Sequence, residues 1–324
     1  MSSLKPVLEV RNIAVYYFTG KGVVRAVDDV SLTGYSGELI AIVGESGSGK
    51  STLGYALLNL VPYPGKIVKG SIIIDGLDIT RLNPKELRMI RGKLVSMVFQ
   101  DPFTTLDPVR RVGDQLVEVF TEHGIDRKTA EERVIELLKS VGLSERIAKS
   151  YPHQLSGGQR QRVSIAAAIA LKPKVLVADE PTTALDVVVQ KQIMDLLDSI
   201  KKTGTTIILI THDIALAAER ADKIAVMYAG KIVEIGDKRE VLTNPLHPYT
   251  KALLSSVPSL ARKEWPKPIP GQPPDLRNPP PGCRFHPRCP YAEERCKLEE
   301  PPMYKISEIH SVKCWLYAGE RGDQ

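Results

Sequence analysis

Short continuous runs of apolar residues alternate along this chain with segments of mixed composition, and the alternation predicts secondary structure. Few or no charged residues occur in four of these runs, at Leu39–Val43, Leu94–Phe99, Val175–Ala178 and Thr206–Ile210. Such runs are typical of strands that are buried on both faces of a sheet. Helical segments are predicted between them. Strand and helix therefore alternate, which favours a parallel sheet with helices on both faces, an α/β fold.

Two segments depart from this alternation. Between about residues 100 and 160, apolar and acidic residues recur at spacings of three and four, which predicts an inserted helical subdomain. Further on, 13 of the 24 prolines lie between Pro258 and Pro302, and the four cysteines follow the densest part of this stretch. We therefore expect a main domain of residues 1–245 and a C-terminal extension of residues 246–324 with a Pro-rich linker.

Composition and charge exclude some classes of protein. The 324 residues include 44 Lys and Arg against 38 Asp and Glu, a mild net charge of +6, so charge alone does not predict nucleic-acid binding. The apolar runs are far shorter than the roughly 18 residues of a membrane-spanning helix, and the N-terminus lacks the apolar region of a signal peptide. We expect a cytosolic protein, which could still dock on a membrane protein.

The first candidate site directly follows the run at Leu39–Val43. The sequence there fits the phosphate-loop pattern G-x-x-x-x-G-K-[ST], and a helix is predicted after it. Glycines allow the backbone N–H groups to turn inward around phosphates, Lys50 adds a positive charge, and the Ser51 hydroxyl can ligate Mg²⁺. The alternative is a flexible Gly/Ser loop. The residues expected to bind nucleotide phosphates are Gly44, Glu45, Ser46, Gly47, Ser48, Gly49, Lys50, Ser51 and the following Thr52.

A second candidate site lies where the run at Val175–Ala178 ends in two carboxylates, Asp179 and Glu180. The end of a strand beside a phosphate loop is where a metal ion and an attacking water are handled. We expect Asp179 to hold Mg²⁺ and Glu180 to act as the general base. Alone, an Asp-Glu strand end is equally well explained as a solvated terminus. The phosphate loop favours the catalytic interpretation.

Several motifs resemble those of ATP-binding-cassette (ABC) ATPases. Leu155–Gln159, with the sequence Leu-Ser-Gly-Gly-Gln, resembles the signature motif of that family. Gln100 is similar to the family's Q-loop glutamine, Asp186 to its D-loop aspartate and His212 to its switch histidine. These motifs occur in the family's order, and the resemblance covers about residues 4–245. It implies a phosphate-loop NTPase core with a helical subdomain, and an ATPase that uses ATP and Mg²⁺.

The resemblance also implies a role for each position. Two chains would meet head to tail, with ATP between the phosphate loop of one chain and the signature motif of the other. Gln100 would contact Mg²⁺ and act in catalysis with Lys50, and His212 would contact the γ-phosphate and orient the water. Asp186 would lie near the nucleotide at the dimer interface. The signature residues expected to bind ATP are Ser156, Gly157, Gly158 and Gln159.

An aromatic side chain near the end of the first strand stacks on adenine in this family. Tyr16 and Tyr17 both precede Lys50 by the appropriate interval. The family's pattern favours Tyr17 as the stacking residue. The alternative is that one or both rings only pack on the sheet.

Finer resemblance points to the oligopeptide/dipeptide importer subfamily. The segments Gln100–Pro108, Tyr151–Gln154 and Asn244–Leu254 are similar to the corresponding segments of its ATPases. The resemblance implies that the region around Phe103–Arg110 forms the groove for a coupling helix of a membrane subunit. Transporters of sugars or metal chelates in the same subfamily look alike at this level, so the peptide cargo is one of several alternatives.

The importer resemblance implies a set of partners. These are two membrane-spanning permease subunits, a second ABC ATPase subunit and, indirectly, an external substrate-binding protein. The second ATPase would be a related chain or a second copy of this one, and the subunit would lie peripherally on the cytoplasmic face of the cell membrane. Nucleic acid is not an expected partner. A soluble, nucleic-acid-linked ABC ATPase is the alternative from another functional class.

The four cysteines, Cys283, Cys289, Cys296 and Cys314, do not follow the paired C-x-x-C pattern of a zinc ribbon. Disulfides are disfavoured in a cytosolic protein, and a Pro-rich segment with little apolar content is well suited to stabilisation by a metal. The segment resembles the tail of oligopeptide-transporter ATPases, in which four cysteines bind an iron–sulfur cluster in some members. We expect a [4Fe–4S] cluster, with zinc as the first alternative and free thiols or disulfides as the other.

Overall fold

An eight-stranded sheet lies at the centre of the structure, a computed structural model in which residues 5–101, 105–256 and 269–319 are described. In chain order, the strands are β1 (Leu8–Thr19), β2 (Gly22–Gly34), β3 (Leu39–Val43), β4 (Gly65–Ile74), β5 (Leu77–Asp78), β6 (Val95–Val98), β7 (Val175–Asp179), β8 (Thr206–Thr211), β9 (Lys223–Tyr228), β10 (Lys231–Asp237), β11 (Tyr304–Ser307) and β12 (His310–Val312). The spatial order in the central sheet is β11-β12-β10-β9-β3-β8-β7-β6. Strands from β9 to β6 pair in parallel, and the remaining strands pair antiparallel.

A second, four-stranded antiparallel sheet has the order β2-β1-β4-β5. It covers one face of the central sheet, and its apolar side chains share a core with Ile40 and Ile42 of β3. Leu39, Ala41 and Val43 of the same strand belong to the core on the opposite face. Because successive side chains of a strand point to opposite faces, β3 must be apolar at every position, as its sequence is.

Helices occupy the space on both sides of the central sheet. Helix α1, which follows the phosphate loop, packs between the two sheets, and most later helices contribute to the core on the other face. The predicted inserted helical region is present as α3 and α4. The helices of the described residues are α1 (Lys50–Leu57), α2 (Pro84–Ile90), α3 (Val112–Thr121), α4 (Arg127–Ser140), α5 (Gly157–Ile169), α6 (Val187–Lys202), α7 (Ile214–Arg220), α8 (Lys238–Thr243), α9 (Pro248–Ser255) and α10 (Glu294–Leu298).

The C-terminal extension completes the central sheet. Its strand β12 pairs with β10, with Glu234 opposite Val312. The buried Glu234 carboxylate accepts hydrogen bonds from the backbone N–H groups of Leu246 at 2.9 Å and His247 at 2.8 Å, and its Oε1 lies 2.8 Å from His310 Nε2. Residues on both sides of position 245 therefore share one sheet. The division into residues 1–245 and 246–324 stays a prediction.

The α/β alternation predicted from the apolar runs is confirmed, with strands β3, β6, β7 and β8 at the expected positions. Within the described ranges, no helix combines the length and the apolar character needed to cross a membrane.

Candidate functional site

The phosphate loop joins the carboxyl end of β3 to the first residue of α1, and two of its glycines are required by close backbone contacts. Gly44 has a φ of +154°, and a Cβ there would lie 2.1 Å from the carbonyl oxygen of Met227. Gly49 has a φ of +102°, and a Cβ there would lie 2.1 Å from the carbonyl oxygen of Ala26. Any side chain at either position would displace the loop from β9 or β2.

Lys50 is the first residue of α1, and its ammonium group lies inside the loop. Its Nζ donates hydrogen bonds to the carbonyl oxygens of Gly44 at 2.8 Å and Glu45 at 2.9 Å. Burial lowers the pKa of Lys50, although the nearby carboxylates of Glu180 and Asp179 oppose this effect. The cation is thus held at the N-terminus of a helix, where an anionic phosphate is stabilised.

Two oxygen-bearing side chains lie next to each other beside the phosphate loop. The Ser51 hydroxyl donates to Asp179 Oδ1 at 3.1 Å, and Asp179 is only 1% exposed. Burial raises the pKa of Asp179 to about 6, and the Glu180 carboxylate adds to the rise, whereas Ser51 and Lys50 oppose it. A hydroxyl next to a carboxylate is the donor set that suits Mg²⁺, and a bound cation would favour the ionised carboxylate.

Glu180 directly follows β7 and is contacted from three sides. Gln100 Nε2 donates to its Oε2 at 2.9 Å, Thr183 Oγ1 donates to the same oxygen at 3.0 Å, and His212 Nδ1 lies 3.0 Å from Oε1. Burial acts to raise the pKa of Glu180, but the contacts with His212 and Thr183 outweigh it and hold the pKa below its usual value. Glu180 is therefore an ionised, oriented carboxylate that can accept a proton.

The backbone of Glu180 is in the left-handed region, with a φ of +45°. Non-glycine residues adopt this conformation uncommonly, and strained backbone positions cluster at functional sites. The strand end predicted to be catalytic thus has an unusual backbone as well as the expected partners. The carboxyl ends of parallel strands bring together the residues that the sequence predicted for this site. These are Lys50, Ser51, Gln100, Asp179, Glu180 and His212.

The signature motif forms the start of α5. Ser156 accepts a hydrogen bond from the backbone N–H of Gln159, and the Gln159 side chain accepts from the Ser156 N–H, which makes a capping box. A Cβ on Gly158 would lie 2.7 Å from Cγ1 of Val189 in α6, so close helix packing requires glycine there. Asp186 caps α6 through the Val189 N–H. These capping hydrogen bonds stay within the helix starts, and the ATP-binding roles of the residues stay predictions.

The two candidate adenine-stacking residues differ in their contacts. Tyr16 donates its hydroxyl hydrogen to Asp28 Oδ1 at 2.9 Å. The Tyr17 hydroxyl lies 3.4 Å from Oγ1 of Thr52, in the first turn of α1. Tyr17 is therefore the residue of the pair that adjoins the phosphate-loop helix. The assignment of adenine stacking to Tyr17 stays a prediction.

Residues of the C-terminal extension contact the phosphate loop, and sequence reasoning missed them. The Glu45 backbone N–H donates to the Tyr249 hydroxyl at 2.9 Å, and the Glu45 carboxylate accepts from Arg288 at 2.7 and 3.0 Å. Glu45 and Arg288 are 243 positions apart. No motif or periodicity in the sequence connects positions at such a separation.

The four cysteines line one small cavity, together with His247, Phe285 and other residues of the extension. No disulfide joins these four cysteines. Burial raises the pKa of Cys283 to about 12 and that of Cys314 to about 11. Within residues 5–101, 105–256 and 269–319, no group of three or more His, Cys, Asp or Glu side chains is arranged to hold a metal ion.

The described residues therefore do not show the predicted iron–sulfur or zinc site. The sequence prediction that the cysteines lie together is supported by their common cavity. The nature of any bound group stays a proposal.

The groove predicted for a membrane subunit is described in part. Residues 102–104 of this segment, including Phe103, lie outside the described residues. Val109, on the described side, is 78% exposed. Part of the Pro-rich linker, residues 257–268, also lies outside the described residues.

Comparison with known proteins identifies the family of this chain. The family model for the ABC transporter matches residues 27–183, and the model for the C-terminal region of oligopeptide/dipeptide transporters matches residues 233–296. The chain is 48% identical over 316 residues to the oligopeptide transport ATP-binding protein OppD of Bacillus subtilis, covering 95% of this chain and 88% of that protein. It is 45% identical over 312 residues to the dipeptide transport ATP-binding protein DppD of Escherichia coli, covering 95% of each.

Solved structures show the same architecture. A dimeric, post-hydrolysis state of the ATP-binding cassette MJ0796 with ADP and Pi matches with a TM-score of 0.63 and 33% identity, covering 72% of this chain and 99% of that one. The cbiO1 subunit of the cbiONQ transporter complex of Clostridium perfringens matches with a TM-score of 0.63 and 31% identity, covering 74% of this chain and 91% of that one.

Proposed function

Because this chain belongs to the ABC transporter ATPases, and has the C-terminal region of the oligopeptide/dipeptide branch, we propose that it hydrolyses ATP to drive the import of short peptides. The observation that carries the catalytic part is the set of contacts on Glu180. Gln100, Thr183 and His212 all hold its carboxylate beside the Ser51–Asp179 pair.

Each residue of the site has a distinct part in the proposed reaction. The phosphate loop and Lys50 bind the phosphates. Ser51, Asp179 and Gln100 would hold Mg²⁺, and the ion would supply positive charge that offsets the charge of the phosphates. Glu180 takes a proton from the attacking water, and His212 orients that water against the γ-phosphate. Tyr17 stacks on adenine. Burial of Lys50 and Asp179 strengthens their electrostatic interactions with the nucleotide.

We propose that a second ATPase subunit completes the site with its signature motif. Val187 and Val188, directly after Asp186, are 80% and 68% exposed, and such apolar side chains fit an interface that forms on dimerisation. A dimeric relative is among the solved structures of similar fold. ATP would then join two surfaces that otherwise meet weakly, and hydrolysis would release them. The second subunit is either a related chain or another copy of this one.

The remaining partners in the proposal are two membrane-spanning permease subunits and, indirectly, an external substrate-binding protein. The ATPase would lie peripherally on the cytoplasmic face of the cell membrane. The names of the relatives, which refer to oligopeptide and dipeptide transport, support peptide cargo. Sugars or metal chelates are the alternatives, because cargo specificity lies in other subunits.

We propose in addition that Cys283, Cys289, Cys296 and Cys314 hold a [4Fe–4S] cluster. Their common cavity and four thiol ligands support this group, and structural zinc is the alternative. A bound cluster would supply a rigid cross-link within the extension. Redox chemistry is not part of the proposal.

Co-purification from native membranes tests the importer function. Tagged protein should bring down two permease subunits, and the external binding protein loaded with a short peptide should stimulate ATP hydrolysis by the complex. Stimulation by DNA or RNA, with no membrane subunit recovered, would contradict the proposal and favour the nucleic-acid-linked class. Stimulation only by a sugar-loaded or chelate-loaded binding protein would keep the importer and reject peptide cargo.

A further inference from the structure

A buried arginine of the C-terminal extension forms a two-point ion pair with the phosphate loop. Arg288 ends a short 3₁₀ helix, His286–Arg288, directly before Cys289. Its Nη1 lies 2.7 Å from Glu45 Oε2, and its Nη2 lies 3.0 Å from Oε1. The Arg288 side chain is only 4% exposed. Bidentate pairing of this kind fixes the orientation of both groups as well as their distance.

The guanidinium of Arg288 is itself held from other directions. Its Nε donates to the carbonyl oxygen of Pro270 at 2.7 Å, and Nη1 also donates to the Tyr228 hydroxyl at 3.3 Å. The rings of Tyr228 and Phe285 lie near its Cζ, at 5.6 and 5.9 Å. Arg288 therefore has little freedom to follow the phosphate loop. The loop must adopt the position that Arg288 permits.

Glu45 connects Arg288 to the groups that are expected to bind phosphate. Its side chain is paired with Arg288, its N–H donates to Tyr249 at 2.9 Å, and its carbonyl oxygen accepts from Lys50 Nζ at 2.9 Å. Two of these three partners, Arg288 and Tyr249, come from the extension. A shift of Glu45 would move a hydrogen-bond acceptor of Lys50 and the backbone next to Gly44.

A second arginine of the extension contacts strand β2 and the residue that follows β9. Arg284 pairs with Asp28, the acceptor of the Tyr16 hydroxyl, and donates to the Ala229 carbonyl oxygen at 2.5 Å. Arg284 follows Cys283 directly, as Arg288 precedes Cys289. The extension thus touches the ATPase domain at the phosphate loop and at strand β2 near the candidate adenine-stacking residues.

We infer that Arg288 is a positioning residue for ATP binding, which preorganises the phosphate loop by fixing Glu45. The inference deepens the proposed function, since it rests on ATP binding at the loop. It assigns to the C-terminal extension a direct influence on nucleotide affinity. Without Arg288, the Glu45 carboxylate would lose its charged partner, and the loop would adopt several positions, only some of which suit the phosphates.

The test compares ATP binding and hydrolysis among full-length variants. Arg288→Gln should raise the Kd and KM for MgATP about tenfold and change kcat at saturating ATP by less than twofold, because binding and not chemistry depends on the pair. Glu45→Gln should have a similar effect. The double variant should be no weaker than either single variant, because both substitutions remove the same contact.

Two further variants separate positioning from general stability. Arg288→Lys keeps the charge but not the two-point geometry, and should recover part of the lost affinity. Arg277→Gln is the matched control, because Arg277 is an exposed arginine of the same extension, paired with Asp275, and its Kd should equal that of the wild type. If Arg288→Gln does not fold, the Arg288→Lys and Glu45→Gln variants still provide the comparison.

Two results would overturn the inference. One is an unchanged Kd for MgATP in folded Arg288→Gln or, if that variant does not fold, in Glu45→Gln, even if the melting temperature falls. The other is a double variant whose loss of affinity equals the product of the single losses. Failure of the proposed function itself would be distinct, because the wild-type protein would then fail to bind MgATP.

Discussion

Nδ1 of His212 lies 3.0 Å from Oε1 of Glu180, although the two residues are 32 positions apart in the sequence. Their proximity follows from the sheet: β7 and β8 are parallel neighbours, so the residues just after their carboxyl ends lie side by side. The contact aligns the imidazole with the carboxylate that we assign as the general base. It places the predicted switch histidine beside the predicted general base.

The first prediction concerns this carboxylate. Glu180→Gln should keep ATP binding but lower the hydrolysis rate at least about 100-fold, because the amide cannot take the proton of the attacking water. ATP should then accumulate in a stable dimer, visible as a shift in size-exclusion chromatography. Glu132→Gln, at an exposed carboxylate on α4, is the control and should hydrolyse ATP normally. Unchanged steady-state hydrolysis in Glu180→Gln would disprove the role of Glu180.

The second prediction separates the two neighbouring tyrosines. Tyr17→Ala should raise the KM for ATP about tenfold, since stacking on a base contributes about 1–3 kcal/mol. Tyr17→Phe keeps the ring and should bind ATP within about twofold of the wild type. Tyr16→Phe removes only the hydrogen bond to Asp28, and should lower thermal stability while leaving the KM unchanged. If Tyr16→Ala raises the KM and Tyr17→Ala does not, the assignment belongs to Tyr16.

Much of this site was predictable because its chemistry is local in sequence. The run Leu39–Val43 identifies a strand buried on both faces, and the glycines and Lys50 that follow identify a phosphate loop. The run ending in Asp179 and Glu180 identifies the second half in the same way. Adjacent residues and fixed spacings define these features, so they can be recognised before folding is known.

The contacts made by the extension could not be predicted in this way. The Arg288–Glu45 pair and the pairing of β12 with β10 join segments that are far apart in the sequence. Nothing in the local sequence distinguishes Arg288 from an exposed arginine. Its burial follows only from the aromatic residues packed around it. The burial of the Glu234 carboxylate was equally unpredictable from local sequence. Its three hydrogen-bonding partners come from β12 and from the residues just before α9. Sequence reasoning therefore predicted the candidate catalytic residues and missed the contacts of the extension with the phosphate loop.

The third prediction concerns acid stability. His247 is buried, and burial lowers its pKa from 6.5 to about 4. The nearby Lys251 also acts to lower this pKa, whereas Glu234 acts to raise it. The folded protein keeps His247 neutral, while the unfolded chain binds a proton below about pH 6.5. This contribution to stability is complete above pH 6.5 and is lost as the pH falls from 6.5 towards 4, by up to about 3 kcal/mol.

Urea unfolding at several pH values measures this contribution. His247 Nδ1 accepts a hydrogen bond from the Tyr249 N–H at 3.0 Å, and an asparagine side chain can replace that acceptor without titrating. The stability difference between wild type and His247→Asn should shrink by about 1 kcal/mol per pH unit below pH 6.5. A difference that stays constant from pH 7.5 to pH 5 would show that His247 does not carry the effect.

The last prediction concerns the metal in the cysteine cavity. Protein purified anaerobically should be brown, with broad visible absorbance and about four irons per chain, as a [4Fe–4S] cluster requires. Because burial raises the pKa of Cys283 and Cys314, the metal must displace protons from their thiols, so its affinity should rise with pH. Serine at any one of the four cysteine positions should abolish the colour. Colourless protein with about one zinc per chain would establish the alternative metal, and four thiols that titrate freely, with no bound metal, would reject both.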